Sequence, residues 1–266
     1  MPVTPEELAA DAVACFDAGA AIVHTHCRPM GGSDEEVAAR YLAAYRLVWA
    51  ERPGALLYPT VNMTADGVSF GHLRLLAAEG LRLGLIDPGS LNLGRSGPDG
   101  VPEGAFVYAT TYDRIREVFA LHDELGLGPS IAVHEPGFLR TTLAYWRAGR
   151  LPAGAMVKLY LAEDRGFGGA AFGLPVTVTA LEAYLEVLGD CDVPWAVSAV
   201  GGDLTRSPVA LTALERGGHL HLGLEFHDGD RTPTNVELVE EAVAPCAAVG
   251  RPVASRTDAE RILGLP

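Results

Sequence analysis

The feature that most constrains this chain is a regular alternation of short apolar runs with helical stretches through its second half. A helical period over 112–125 is followed by an apolar run at 130–134, a helix at 139–148 and an apolar run at 156–161. A helix near 179–188, a run at 195–200, a helix opened by Pro208, a run at 219–226 and a long helix over 236–249 complete the series. Short continuous apolar runs fit strands buried on both faces, and the helices between them supply the crossovers that parallel pairing needs. Repeated βα units with no linker or composition break predict an α/β protein, one (β/α)8 TIM-type barrel domain over residues 1–266. A doubly wound open sheet shares the periodicity and is the alternative.

The first half follows the same plan less regularly. Thr4 as N-cap, Pro5 at the first helical position and Glu7 closing a capping box start a helix that ends at Gly19. An apolar run from Ala20 leads into His24-Thr25-His26-Cys27-Arg28, and Ser33 caps a helix with Val37, Tyr41, Ala44 and Val48 on one stripe. Strands are expected over 56–62 and within 83–93, with a helix over 71–79 between them. The run 106–111 comes after too few residues for a crossover helix, so it is expected as an excursion beside the barrel. Without it, seven barrel strands remain, near residues 22, 58, 85, 132, 158, 197 and 222. A closed barrel needs about eight. The missing strand is expected between the first and last of these, either ahead of residue 1 or replaced by another subunit.

Composition narrows the function classes. A net charge of −14 argues against nucleic acid or an anionic membrane surface as partner, although it leaves room for an anionic small molecule. No apolar run reaches the ~18 residues of a membrane span, and the chain opens on a charged helix, not a secretory leader. Cys15, Cys27, Cys191 and Cys246 are scattered, which fits neither a disulfide scaffold nor a thiolate zinc site. Cys27 reads as a buried thiol on the face opposite His26. The expected setting is the cytoplasm, as a homo-oligomer.

Two histidines two residues apart on a strand project to the same face, about 7 Å apart along it. His24 and His26 therefore fit a metal site, or equally two rim histidines with ordinary hydrogen bonds. On the last strand His219, His221, Gly223 and Glu225 would share one face, and barrel closure brings that strand toward the first. His24, His26 and Glu225 then form a two-histidine, one-carboxylate set suited to zinc, or less well to iron(II). The competing reading pairs Glu225 with Arg231. Gly201-Gly202, between a strand and the helix at Pro208, forms a loop whose amides could meet a phosphate. The glycine-rich loop 164–173 reads as a lid or as plain surface loop.

Taken together, Pro2-Val3-Thr4-Pro5-Glu6-Glu7, Ala18-Gly19-Ala20 before the His24-Thr25-His26-Cys27-Arg28 run, Ser90-Leu91-Asn92-Leu93-Gly94 and Gly217-Gly218-His219-Leu220-His221-Leu222-Gly223-Leu224-Glu225 resemble the β-keto acid cleavage enzymes, of the 3-keto-5-aminohexanoate cleavage type. The resemblance runs from Pro2 to about Leu263. It implies a zinc-dependent barrel that exchanges acyl groups between a β-keto acid and acetyl-CoA, releasing acetoacetate and a new acyl-CoA. By it, His24, His26 and Glu225 would hold the Zn2+, Ser90 and Thr111 would place hydroxyls near the substrate, and the Gly201-Gly202 loop would lie toward the CoA. Zinc would polarise the keto oxygen, a base would form an enolate, and retro-Claisen cleavage would follow attack on the thioester.

Three departures accompany it. His221 stands where the family has a substrate-holding arginine, Phe226 where it has an aspartate that abstracts a proton, and the family's first strand, with an acidic residue, has no counterpart here. The base then falls to His221, Glu135 or a zinc-bound hydroxide, and His221 lacks arginine's bidentate hold on a carboxylate. The alternatives are a metal-binding barrel that serves as sensor or structural subunit, and a zinc hydrolase or lyase that needs no CoA.

Overall fold

The computed structural model describes residues 2–64, 67–164, 169 and 172–265. The loop expected as a lid falls largely on 165–168, 170 and 171, outside the described residues. The chain opens with α1 (Pro5–Ala18), β1 (Ile22–Thr25), α2 (Asp34–Glu51) and β2 (Leu56–Pro59), then a small hairpin of β3 (Asn62–Thr64) and β4 (Gly67–Ser69). It continues through α3 (His72–Ala78) and β5 (Leu83–Ile86) to a second hairpin, β6 (Leu91–Ser96) and β7 (Pro102–Tyr108). From there α4 (Tyr112–Leu125), β8 (Gly128–Val133), α5 (Pro136–Arg147), β9 (Met156–Ala162), α6 (Val178–Leu188), β10 (Trp195–Val200), α7 (Pro208–Glu215) and β11 (His219–Leu220) alternate, before α8 (Asn235–Ala248) and α9 (Arg256–Leu263).

Local chemistry sets the helix ends. Thr4 and Glu7, Ser33 and Glu36, Thr234 and Glu237, and Ser255 and Asp258 each form a reciprocal capping box, satisfying amides that an open helix start leaves bare. Gly19, at φ 119°, ends α1 in a left-handed turn that a side chain would resist.

Among the described residues seven strands occupy barrel positions, in the places the sequence predicts. β1 pairs in parallel with β2, from Ile22 opposite Leu56 to Thr25 opposite Pro59. β5, β8, β9, β10 and β11 form a parallel sheet in that order, and β2 lies beside β5. Among the described residues no strand pairs with the outer edge of β11 or with the free edge of β1, so no closed barrel forms. The β6–β7 hairpin is antiparallel and stands apart as the excursion expected from the short preceding gap. The β3–β4 hairpin had no sequence signal, because strands of three residues carry no usable periodicity.

The last strand is shorter than its apolar pattern predicts. β11 stops at Leu220, and residues 224–226 make a turn in which Phe226 N–H donates to the Gly223 carbonyl at 3.4 Å. Asn235 at the head of α8 accepts from Leu224 N at 2.9 Å, so a helix side chain takes a bond that a ladder would otherwise use. A turn, not a strand face, delivers Glu225.

The core packs the helices onto the strands, with Val48, Leu73, Leu83, Leu139, Leu159, Leu181 and Val197 fully buried. Each such side chain is worth ~1.5–3 kcal/mol of burial. At Gly84 a Cβ would stand 2.4 Å from His122 Nε2, so the missing side chain lets α4 lie directly on β5. No helix among the described residues is long and apolar enough to cross a membrane.

Candidate functional site

The site begins with the β1–β2 ladder, where His24 and Tyr58 are register partners. The His24 ring stacks on the Tyr58 ring with centroids 4.5 Å apart. His24 Nδ1 lies 3.2 Å from the Tyr58 carbonyl oxygen. A carbonyl can only accept, so Nδ1 carries the proton and Nε2 presents its lone pair. Burial, then electrostatic repulsion from the neighbouring His26, Lys158 and His221 side chains against a charged ring, holds the His24 pKa well below its ordinary value, which keeps that lone pair free.

His26 lies just beyond the end of β1 and turns back, its Nε2 3.0 Å from His24 Nε2 and 2.8 Å from Glu225 Oε1. Its Nδ1 faces Met30 Sδ at 3.2 Å. Glu225 Oε2 is 3.8 Å from His24 Nε2. A tetrahedral ion with ~2.0–2.1 Å bonds needs donor atoms about 3.3 Å apart. Separations of 3.0, 2.8 and 3.8 Å bracket that edge, so the three residues fit a single divalent ion. Among the described residues this is the one such cluster, its ligand atoms all within 4.8 Å of one another. Arg231 does not compete for Glu225: it pairs with Asp203 at 2.7 Å and Glu241 at 2.6 Å.

Other residues singled out in the sequence lie in mixed positions. His221 stands beside the trio, its ring centroid 6.3 Å from that of His24 and its Nε2 3.3 Å from Tyr58 Oη. Burial first, then the Lys158 charge, lowers its pKa well below the ordinary value. Ser90 Oγ accepts from Thr110 N at 3.0 Å, which ties the base of the β6–β7 hairpin together. Thr111 caps α4 by accepting from Arg114 N at 3.2 Å, so its hydroxyl serves the helix. Glu135 turns to accept from Gly173 N at 2.9 Å. Gly201 N–H donates to the Phe226 carbonyl at 2.9 Å, and Gly202 bridges to His227. That loop therefore anchors the turn carrying Glu225, and the Gly201 amide is already committed. Cys27 is half-buried, with burial raising its thiol to about 12.

A layer of residues around the trio escaped the sequence reading, and it packs on Phe226. Phe226 is buried against Tyr160, with ring centroids 5.2 Å apart. Tyr160 also stacks on His134 at 4.6 Å. His134 Nε2 lies 3.6 Å from Asp87 Oδ1, and Tyr108 donates to the other Asp87 oxygen. Burial pushes the Asp87 pKa up, but the nearby His134 ring and the hydrogen bond from Tyr108 outweigh it and the carboxylate titrates below its usual value. Below Tyr160 on the same strand face, Lys158 Nζ lies 3.3 Å from Tyr58 Oη and 5.1 Å from the centre of that ring. Burial pulls Lys158 down to about 8, against the opposing pull of Asp87 and Glu225. A lysine inside the otherwise apolar run of β9 was the visible signal for this layer.

A family model described as beta-keto acid cleavage enzyme matches residues 1–265. The 3-keto-5-aminohexanoate cleavage enzyme of Fusobacterium nucleatum is 25% identical over 275 residues, spanning 100% of this chain and 91% of that protein. The 3-oxoadipate:acetyl-CoA acetyltransferase of Cupriavidus necator is 25% identical over 273 residues, spanning 100% of this chain and 88% of that protein. The apo structure of ObcA superposes with a TM-score of 0.72 at 15% identity, covering 99% of this chain and 65% of ObcA, and shares its fold. With a TIM-type α/β architecture and a family match along nearly its whole length, the chain belongs to the β-keto acid cleavage enzyme family.

Proposed function

We propose that this protein is a zinc-dependent acyltransferase that cleaves a β-keto acid with acetyl-CoA, releasing acetoacetate and a new acyl-CoA. The observation that carries the proposal is the convergence of His24, His26 and Glu225 donor atoms within 4.8 Å of one another. Family membership supports the β-keto acid class, and the relative named for 3-oxoadipate and acetyl-CoA supports the co-substrate. Zinc bound there would act as a Lewis acid on the keto oxygen.

The chain's own residues do the rest of the work. The Tyr58 carbonyl orients His24, and the Tyr58 ring shields it from water on one face. His221 is the imidazole beside the trio on the substrate side, while Glu135 is held by Gly173. Ser90, fixed by Thr110, offers the hydroxyl on the substrate side. Thr111 is assigned to capping α4. The Gly201-Gly202 loop borders the CoA side and holds Glu225 in place through Phe226 and His227.

One observation favours a second reading. Phe226, buried against Tyr160, offers no acid–base group at a position where the family resemblance puts an aspartate. A metal-binding barrel without catalysis would look the same. Acetoacetate release from a panel of β-keto acids, measured with and without acetyl-CoA and with a chelator, separates these. Turnover that needs both acetyl-CoA and metal is expected. Cleavage without CoA would indicate a hydrolase or lyase, and silence despite bound zinc would indicate the sensor or structural role.

A further inference from the structure

Of the twenty basic side chains in the sequence, nineteen are arginine, and Lys158 is the only lysine. It occupies one of the most enclosed places in the fold, 1% exposed on β9. Its Nζ faces the Tyr58 and Tyr160 rings at 5.1 and 5.5 Å. Among the described residues no carboxylate forms an ion pair with it, and its one hydrogen bond goes to Tyr58 Oη at 3.3 Å. Burying an ammonium without a paired carboxylate is costly, and a merely space-filling residue would avoid it.

The donor inventory gives this contact a direction. An ammonium has three donors and no acceptor, so the Tyr58 oxygen must receive from Lys158. The single Tyr58 proton is then available to His221 Nε2, 3.3 Å away. An Nε2–H there would meet an oxygen already receiving from Lys158. A cationic His221 would add a second positive charge one hydroxyl away in the same dry layer. The arrangement that satisfies all three groups has a bare Nε2 and the proton on Nδ1.

That Nδ1 is buried and has no acceptor among the described residues. His221 lines a small cavity with Ser198, Gly223 and Phe226, and Ser198 Oγ also lacks a partner. A buried N–H without an acceptor is destabilising, and an oxygen of a bound ligand would satisfy it.

We infer that Lys158 is a positioning residue that acts through Tyr58 to lock His221 in its Nδ1–H form, so that His221 offers the substrate carboxylate a hydrogen-bond donor and not a base. The ligand half of this inference rests on the β-keto acid reading; the lock itself does not. At neutral pH Lys158 remains mostly an ammonium, since burial lowers it only to about 8.

The test is the tautomer of His221 in zinc-loaded protein labelled with 15N-histidine, read from long-range proton–nitrogen correlations and assigned by its loss in His221→Gln. The wild type should carry the proton on Nδ1. Lys158→Met removes the ammonium at similar size, and Tyr58→Phe removes the relay hydroxyl while keeping the lysine. Each should admit the Nε2–H form, leave the zinc content unchanged, and raise KM for the keto acid roughly ten-fold with a smaller change in kcat. Should Lys158→Met fail to fold, Tyr58→Phe and the wild-type spectrum still decide. An Nε2–H His221 in the wild type, or an unchanged Nδ1–H form in the folded variants, overturns the inference. An intact lock in a protein without acyl transfer defeats the reaction reading alone, and acyl transfer without the lock defeats only this inference.

Discussion

His24 Nδ1 donates to the Tyr58 carbonyl oxygen 3.2 Å away, and the two residues are partners in the β1–β2 ladder. The orientation of the His24 ring, a proposed metal ligand, thus comes from strand register, not from a neighbouring side chain. Because the acceptor is backbone, replacing the Tyr58 side chain should leave zinc affinity within a few-fold of wild type. Losing a ligand should be far more damaging, with Glu225→Gln or His26→Ala lowering zinc affinity by ~100-fold or more. Competition with a chromogenic chelator measures both.

Arg231 should stabilise the segment that carries Glu225. Its guanidinium reaches Asp203 at 2.7 Å, Glu241 at 2.6 Å and Thr205 at 3.0 Å, bridging the loop after β10 to α8. Arg231→Ala is expected to lower the urea unfolding midpoint. Lysine should recover only part of this, because it lacks the planar fork that serves two carboxylates at once.

Acid stability should depend on His122. Burial lowers its pKa to about 4, against the small upward pull of its bond to the Val118 carbonyl. In the unfolded chain the same ring titrates near ~6.5. As pH falls between these values, the unfolded state binds the proton first, so stability falls with pH across that window. The group contributes no further slope below about pH 4. The loss amounts to about 3 kcal/mol. In His122→Met, the acid limb of a stability–pH curve from urea titrations should be flatter between those two pH values.

Gly84 should resist substitution for a reason that can be isolated. A Cβ there would sit 2.4 Å from His122 Nε2 and 3.3 Å from Leu73 Cδ1. Gly84→Ala should cost ~1–3 kcal/mol by overpacking. Adding His122→Ala should remove much of that penalty, so the two changes couple in a double-mutant cycle followed by thermal melting.

The barrel strands and the His24/His26 pair were legible in the sequence because both rest on short-range signals. β8, β9 and β10 are buried on both faces and read as continuous apolar runs, and His24 and His26 are spaced as ligands from one strand end would be. Glu225 was identified for a reason the structure changes. Alternation placed it on a strand, yet Asn235 and Gly201 hold its segment in a turn through contacts distant in sequence. The roles of Glu135 and Thr111 were illegible for the same reason. A carboxylate binding the Gly173 amide and a hydroxyl capping its own helix look no different in sequence from groups aimed at a substrate. The layer of Tyr58, Lys158 and Tyr160 comes from strands far apart in the chain, and pairing alone brings it together.

Zinc stoichiometry, from elemental analysis of the purified wild type and of His24→Ala with folding checked by circular dichroism, tests the proposed metal site. The three converging donor atoms predict one zinc per chain in the wild type and almost none in the folded variant. Full zinc retention in His24→Ala, or a metal-free wild type that still cleaves β-keto acids with acetyl-CoA, would contradict it.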